Sequence, residues 1–143
     1  MITYDEKINL IVSLSNLPAL LMIFSNIALS QKILITLMVI CSCLMHISET
    51  KHELRGWYPF NKYSNLFLWL DRIMAVTLCL YILHIVINNY NETLNSIIIL
   101  GLVGLLLNMI SELCTHDFIA YFAITHCAWH WIAYYIYYVV CKI

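Results

Sequence analysis

Five long apolar runs alternate with short polar interruptions along this chain. A helix that crosses a bilayer needs about 20 mostly apolar residues, with a range of about 17–25. The runs extend from Ile8 to Leu29, Ile33 to Ile47, Leu66 to Ile87, Leu94 to Ile110 and Phe118 to Val140. Pro18 interrupts the first, and its missing N–H predicts a kink there. The second is short unless Gln31, Lys32 and Ser48 sit at the interfaces, and the fourth is also short. The longest connection, SETKHELRGWYPFNKYSN from Ser48 to Asn65, is polar and charged and holds Gly56 and Pro59. It belongs outside the hydrocarbon, with Trp57 and Tyr58 suited to the headgroup level. The pattern predicts an all-α, polytopic transmembrane bundle of about five spanning helices, forming one domain over residues 1–143. No linker, low-complexity tract or internal repeat divides it.

Composition agrees with this pattern. The 143 residues are 63% hydrophobic and 10% charged, and the mean hydropathy is +0.85. A soluble domain averages about 45–50% apolar and about 25% charged residues. A net charge of −1 offers no footing for nucleic acid. The six cysteines are scattered without a CxxC pair and read as small buried hydrophobes, not as a disulfide framework. The opening MITYDEK is acidic and polar, unlike a cleaved signal peptide, so the first apolar run is expected to be retained. Five spans place the termini on opposite sides. Lys7, Lys51, Arg55 and Lys62 then lie on the N-terminal side, with Arg72 just inside the third span, against Lys32 and Lys142 on the other. That asymmetry predicts a cytosolic N-terminus. An endomembrane such as the ER or Golgi is the separate expectation if the host is eukaryotic. The tripeptide Asn91–Thr93 reads as a glycosylation sequon on the opposite side, though the motif is common and its loop short.

Ionisable groups inside spans are costly and rare, and by default they mark function. Here they are His46, Asp71, Arg72, His84, His126 and His130. His126 and His130 are four residues apart, so they share one helix face and are spaced to bind one metal ion. Ser42 and His46 stand in the same relation. The second span ends on the N-terminal side, where the third and fifth begin. Asp71 is roughly 8 Å into its span and His126 roughly 12 Å into its own. All three helices thus deliver polar groups to the same half of the bilayer. Three neutral histidines with a fourth position open form a known catalytic zinc arrangement, in which bound water has a pKa near 7. Plainer readings exist for each part. HxxxH is short enough to arise by chance, and a second SxxxH, Ser48–His52, lies in the charged loop. For Asp71 the plainer reading, which carries less weight than the functional one, is a pairing with a neighbouring helix's cation or a carboxylate that snorkels to the interface. His84, roughly 20 Å beyond Asp71, reads as a structural hydrogen-bonding residue. His52 and His116 read as loop or interface residues. The aromatic stretch WHWIAYYIYYVV reads as packing and interface, with a lipid-chain channel as the alternative.

The ordered set Ser42-x3-His46, Asp71, His126-x3-His130 resembles the signature of the CREST superfamily of membrane hydrolases. That group includes alkaline ceramidases, progestin and adiponectin receptors, myomaker-like proteins and GPI-anchor lipid-remodelling proteins. SCLMH, LFLWLDR and HCAWH match its serine–histidine, aspartate and paired-histidine positions in order, over roughly half the chain. The resemblance implies that His46, His126 and His130 bind zinc, and that Asp71 and Ser42 contact the water that the metal activates. The family core has seven spanning helices against the five counted here. The deficit falls between the aspartate helix and the HxxxH helix. Loss of a helix pair keeps the last helix running in the right direction but removes part of the cavity wall, which a homo-oligomer would supply.

The resulting expectation is a zinc-dependent intramembrane hydrolase of a lipid amide or ester, ceramide being one candidate, with metal-activated water as the nucleophile. Asp71 would accept the proton and Ser42 would orient the water or donate to the oxyanion. The other reading of Asp71 is that it hydrogen-bonds a ligand histidine and fixes its tautomer. The alternative is a non-enzymatic receptor or scaffold of the same fold with a structural zinc. A third reading, a haem-binding electron carrier, leaves Ser42 and Asp71 unexplained and would show a Soret band.

Overall fold

The structure is a computed structural model that describes residues 2–89 and 92–143. Asn91, the acceptor residue of the tripeptide Asn91–Thr93, lies outside the described residues. Five α-helices make the fold: α1 (Tyr4–Leu14), α2 (Leu29–Ser48), α3 (Ser64–Asn88), α4 (Glu92–Leu113) and α5 (Ile119–Val140). A 3-10 segment, Leu17–Phe24, follows α1. Among the described residues there is no strand, and the chain is an all-α bundle.

Among the described residues, four segments are long and apolar enough to cross a membrane: Tyr4–Phe24, Leu29–Ser48, Phe60–Asn88 and Asn95–Leu113. The fifth expected span, α5, has 22 residues, about 33 Å at helical rise, yet falls short in hydropathy. Its histidines and tyrosines are the reason: His126, His130, Tyr134 and Tyr137 point into the protein, while Tyr121, Tyr135 and Tyr138 are exposed.

The first helix begins earlier than the apolar run suggests. Thr3 forms a capping box with Glu6: the Thr3 N–H donates to Glu6 Oε2 at 2.8 Å, and Thr3 Oγ1 accepts from the Glu6 N–H at 3.3 Å. This satisfies two of the orphan donors that every helix start leaves open. At the other end the chain tightens into the 3-10 segment with Pro18 in its first turn, as a proline at a helix start allows. Asn16 Nδ2 donates to the Val12 and Ser13 carbonyls at 3.3 and 3.1 Å, capping the end of α1.

The central helix is α5, which packs most extensively against α4 and also against α1 and α3, while α2 lies between α1 and α3. Ile35, Met38 and Val39 of α2, Leu78 of α3 and Tyr134 and Tyr137 of α5 form one buried cluster. Ile8 and Val12 of α1 join Leu54, Ile119, Phe122 and Ala123 in a second. The α2–α3 loop folds back tightly: a Cβ on Gly56 would come within 2.3 Å of the Ser48 carbonyl oxygen, so only glycine fits there. Helices α3 and α4 flank α5 and scarcely touch each other. They meet at one end, where Val86 and Ile97 pack with Ile136 and Val140. A long slot is left between them.

Candidate metal centre

His46 ends α2, and His126 and His130 lie one turn apart on α5. Packing of α2 against α5 brings the three rings together, with centroid separations of 4.8, 5.1 and 4.7 Å. All three are buried. One ring nitrogen from each lies within 4.8 Å of the others. Nitrogens each about 2.1 Å from one tetrahedral ion lie about 3.4 Å apart, so the most distant rings would close by somewhat more than an ångström around zinc.

The Nδ1 atom of each ring is engaged. His130 Nδ1 lies 2.8 Å from Ser15 Oγ, at the end of α1. His126 Nδ1 lies 3.0 Å from Ser111 Oγ, on α4. His46 Nδ1 lies 3.0 Å from Glu49 Oε2, just past the end of α2. Ser15, Ser111 and Glu49 are themselves buried. His46 Nε2, by contrast, is buried with no hydrogen-bond partner among the described residues. Ser42 Oγ and Asp71 Oδ1 share that condition. Buried polar atoms are nearly always paired, and leaving one unpaired costs about 1–3 kcal/mol, so such a group calls for an explanation. A cation among the three rings supplies one for His46.

Asp71 stands among His46, Ser42, Glu49 and Arg72, its electrostatic neighbours. Two carboxylates, Glu49 and Asp71, therefore border the three rings, and Arg72 is exposed. A divalent cation would offset that negative charge in a medium where unpaired charge is costly. The donor set suits zinc: three imidazoles, no thiolate, and room for a fourth ligand.

The slot between α3 and α4 opens a cavity of about 620 Å³. Asp71, Arg72, His126 and His130 lie at its polar end, and Val86 and Ile97 at its far end. From Asp71 to Val86 the slot follows α3 for roughly 22 Å, and its lining is mostly apolar. A second cavity of about 60 Å³ lies on the loop side, bordered by Glu49, Thr50, Lys51, Ser64 and Asn65. Met45 and Leu68 wall both cavities. An ion pair between Lys51 and Glu112 ties the loop to the end of α4.

The structure thus gathers His46, His126 and His130, with Ser42 and Asp71 beside them. His84 lies apart, exposed near the end of α3, where the Asn88 amide donates to its carbonyl at 2.9 Å. His116 faces Asp5 at 3.4 Å on the surface. His52 is a loop residue, as its sequence context suggests, but its ring packs on Phe122 at 4.5 Å and its Nδ1 lies 2.7 Å from the Cys114 carbonyl. Its φ of 56° is one of two positive values at non-glycine residues among those described. All six cysteines are free thiols. Three members of the site escape a reading of the sequence: Ser15, Ser111 and Glu49. No feature of their local sequence distinguishes them.

Comparison with known proteins returns no matching family model, no matching curated protein and no matching solved structure.

Proposed function

We propose that this chain is a zinc-dependent intramembrane hydrolase of a lipid amide or ester, of the kind the CREST signature describes. One observation carries the reading: three buried histidines have convergent nitrogens, two of them, His126 and His130, line the polar end of an apolar slot, and Ser42 Oγ and Asp71 Oδ1 beside them are buried without a partner. His46, His126 and His130 would hold the metal. When bound, zinc supplies a Lewis acid for the scissile carbonyl and acidifies water at neutral pH.

The chain's own residues supply the rest. The slot takes an acyl chain from the bilayer through the gap between α3 and α4, which places a polar headgroup linkage near the histidines. The bilayer or a second copy completes the open wall. Asp71 is the proton acceptor, with its Oδ1 free of any other partner. Ser42 orients the attacking water or donates to the developing oxyanion. The small cavity beside Glu49 and Asn65 is the aqueous side of the site, from which water enters past Met45 and Leu68. That side carries Lys51, Arg55 and Lys62, and the positive-inside tendency makes it cytosolic.

The test is metal content of the detergent-purified protein by mass spectrometry, beside a His126→Ala/His130→Ala variant. The expected result is near one zinc per chain, lost in the variant, followed by turnover in a screen of lipid amides and esters. No zinc in either protein under chelator-free conditions overturns the reading. Zinc without turnover on any lipid makes the protein a receptor or scaffold with a structural metal.

A further inference from the structure

We infer that Ser15, Ser111 and Glu49 are positioning residues that fix all three histidines as Nδ1–H tautomers, turning three Nε2 lone pairs toward one divalent cation. The inference rests on the reading of His46, His126 and His130 as a ligand set, and it concerns residues outside that set.

The argument is a count of protons. A serine hydroxyl has one proton to donate. Ser15 Oγ donates it to the Val12 carbonyl at 2.6 Å. Toward His130 Nδ1, 2.8 Å away, the same oxygen can only accept, so the ring must donate. Ser111 repeats the arrangement on another helix: its hydroxyl donates to the Asn108 carbonyl at 2.7 Å and accepts from His126 Nδ1 at 3.0 Å. Glu49 Oε2, a carboxylate oxygen 3.0 Å from His46 Nδ1, accepts from that ring in the same arrangement. A neutral imidazole carries one N–H, so each ring with its proton on Nδ1 has a bare Nε2. The acceptors are themselves held. Trp131 Nε1, on α5 beside His130, donates to the Ser15 carbonyl at 3.1 Å. Asn9 Nδ2 donates to the Glu49 carbonyl at 3.0 Å. Helices α1 and α4 contribute no ligand, yet they set which nitrogen each α5 histidine presents. Outer partners of this kind orient metal-binding histidines and raise their basicity.

The experiment uses the full-length protein in detergent with 15N-labelled histidine. Long-range 15N–1H NMR of the metal-free protein reads each tautomer directly, and competition with a chromophoric chelator reads zinc affinity. In the wild type, His46, His126 and His130 should all be Nδ1–H tautomers. Ser111→Ala should give His126 a mixture of tautomers and weaken zinc binding about 10–100-fold. Ser111→Thr, which keeps the hydroxyl, should restore both. Ser15→Ala should do the same to His130 alone, which provides an independent variant on a different helix if one of them folds poorly. A merely structural role would lower the melting temperature without moving the tautomer. The inference is overturned if any of the three wild-type rings carries its proton on Nε2. It also fails if both alanine variants keep wild-type tautomers and affinity. Wild-type rings that are Nδ1–H in a protein that binds no zinc would sink the ligand reading and leave the tautomer assignment standing.

Discussion

Asp71 is the residue on which the proposed chemistry turns. Its Oδ1 is buried and unpaired, and the neighbouring Arg72 guanidinium lies over the Trp69 ring, 5.9 Å from its centroid. Asn matches Asp in size but cannot take up a proton. Asp71→Asn should therefore keep the fold and most of the zinc while lowering lipid hydrolysis by about 10²–10⁴-fold, the usual worth of a positioned general base. A wild-type rate in that variant, measured on the purified protein, would remove Asp71 as the proton acceptor. The paired histidines were legible because a spacing of four on a helix needs no knowledge of the fold. His46 and Asp71 were legible because ionisable groups stand out in apolar sequence. Ser15 and Ser111 were not. Serines in apolar helices commonly bond a carbonyl three or four residues back, and both do so here, to Val12 and Asn108. Their second, tertiary contact leaves no trace in the local sequence.

At the scale of elements, the hairpin of α4 and α5 depends on close approach. A Cβ on Gly104 would lie 2.9 Å from Ile132 Cγ2 and 3.1 Å from the Trp129 ring. Gly104→Val should push α4 away from α5 at a cost of about 1–3 kcal/mol, typical of overpacking. The expected result is a lower melting temperature by circular dichroism, together with weaker zinc binding, because Ser111 rides on α4. An unchanged melting temperature would show that the hairpin tolerates the added width. The number and order of helices follow from runs of apolar residues, which are a property of the chain alone. Their ends do not. The first helix takes in Asp5 and Glu6 because a capping box rewards them, although an apolar run begins only at Ile8. The last helix falls short in hydropathy because of its histidines and tyrosines, but that His126, His130, Tyr134 and Tyr137 turn inward is revealed only by the assembled bundle.

At the scale of the whole molecule, the slot between α3 and α4 defines what the site can reach. Cys79 lies on its wall and is exposed, so added bulk there enters the slot without crowding the core. It is roughly 12 Å along α3 from Asp71. Cys79→Trp should cut turnover of long-chain lipids at least about tenfold, equivalent to about 1.4 kcal/mol of barrier. Chains that end short of that point should be hydrolysed as before, with zinc content unchanged. Equal losses on short and long chains would mean that substrate does not lie along α3.

The link between Ser15 and His130 joins residues 115 positions apart. The histidine centre is thus one of the last features of the molecule to come into being. A nascent chain that has made α1 to α4 already carries Ser15, Glu49 and Ser111, but the rings for two of them have not arrived. On the proposed reading, the three histidines would capture a metal ion only after α5 is in place, so possession of the ion would certify that both ends of the bundle have been joined. A chain stalled before α5 would hold His46 and its carboxylate alone and would be recognisable in the cell by its inability to retain zinc.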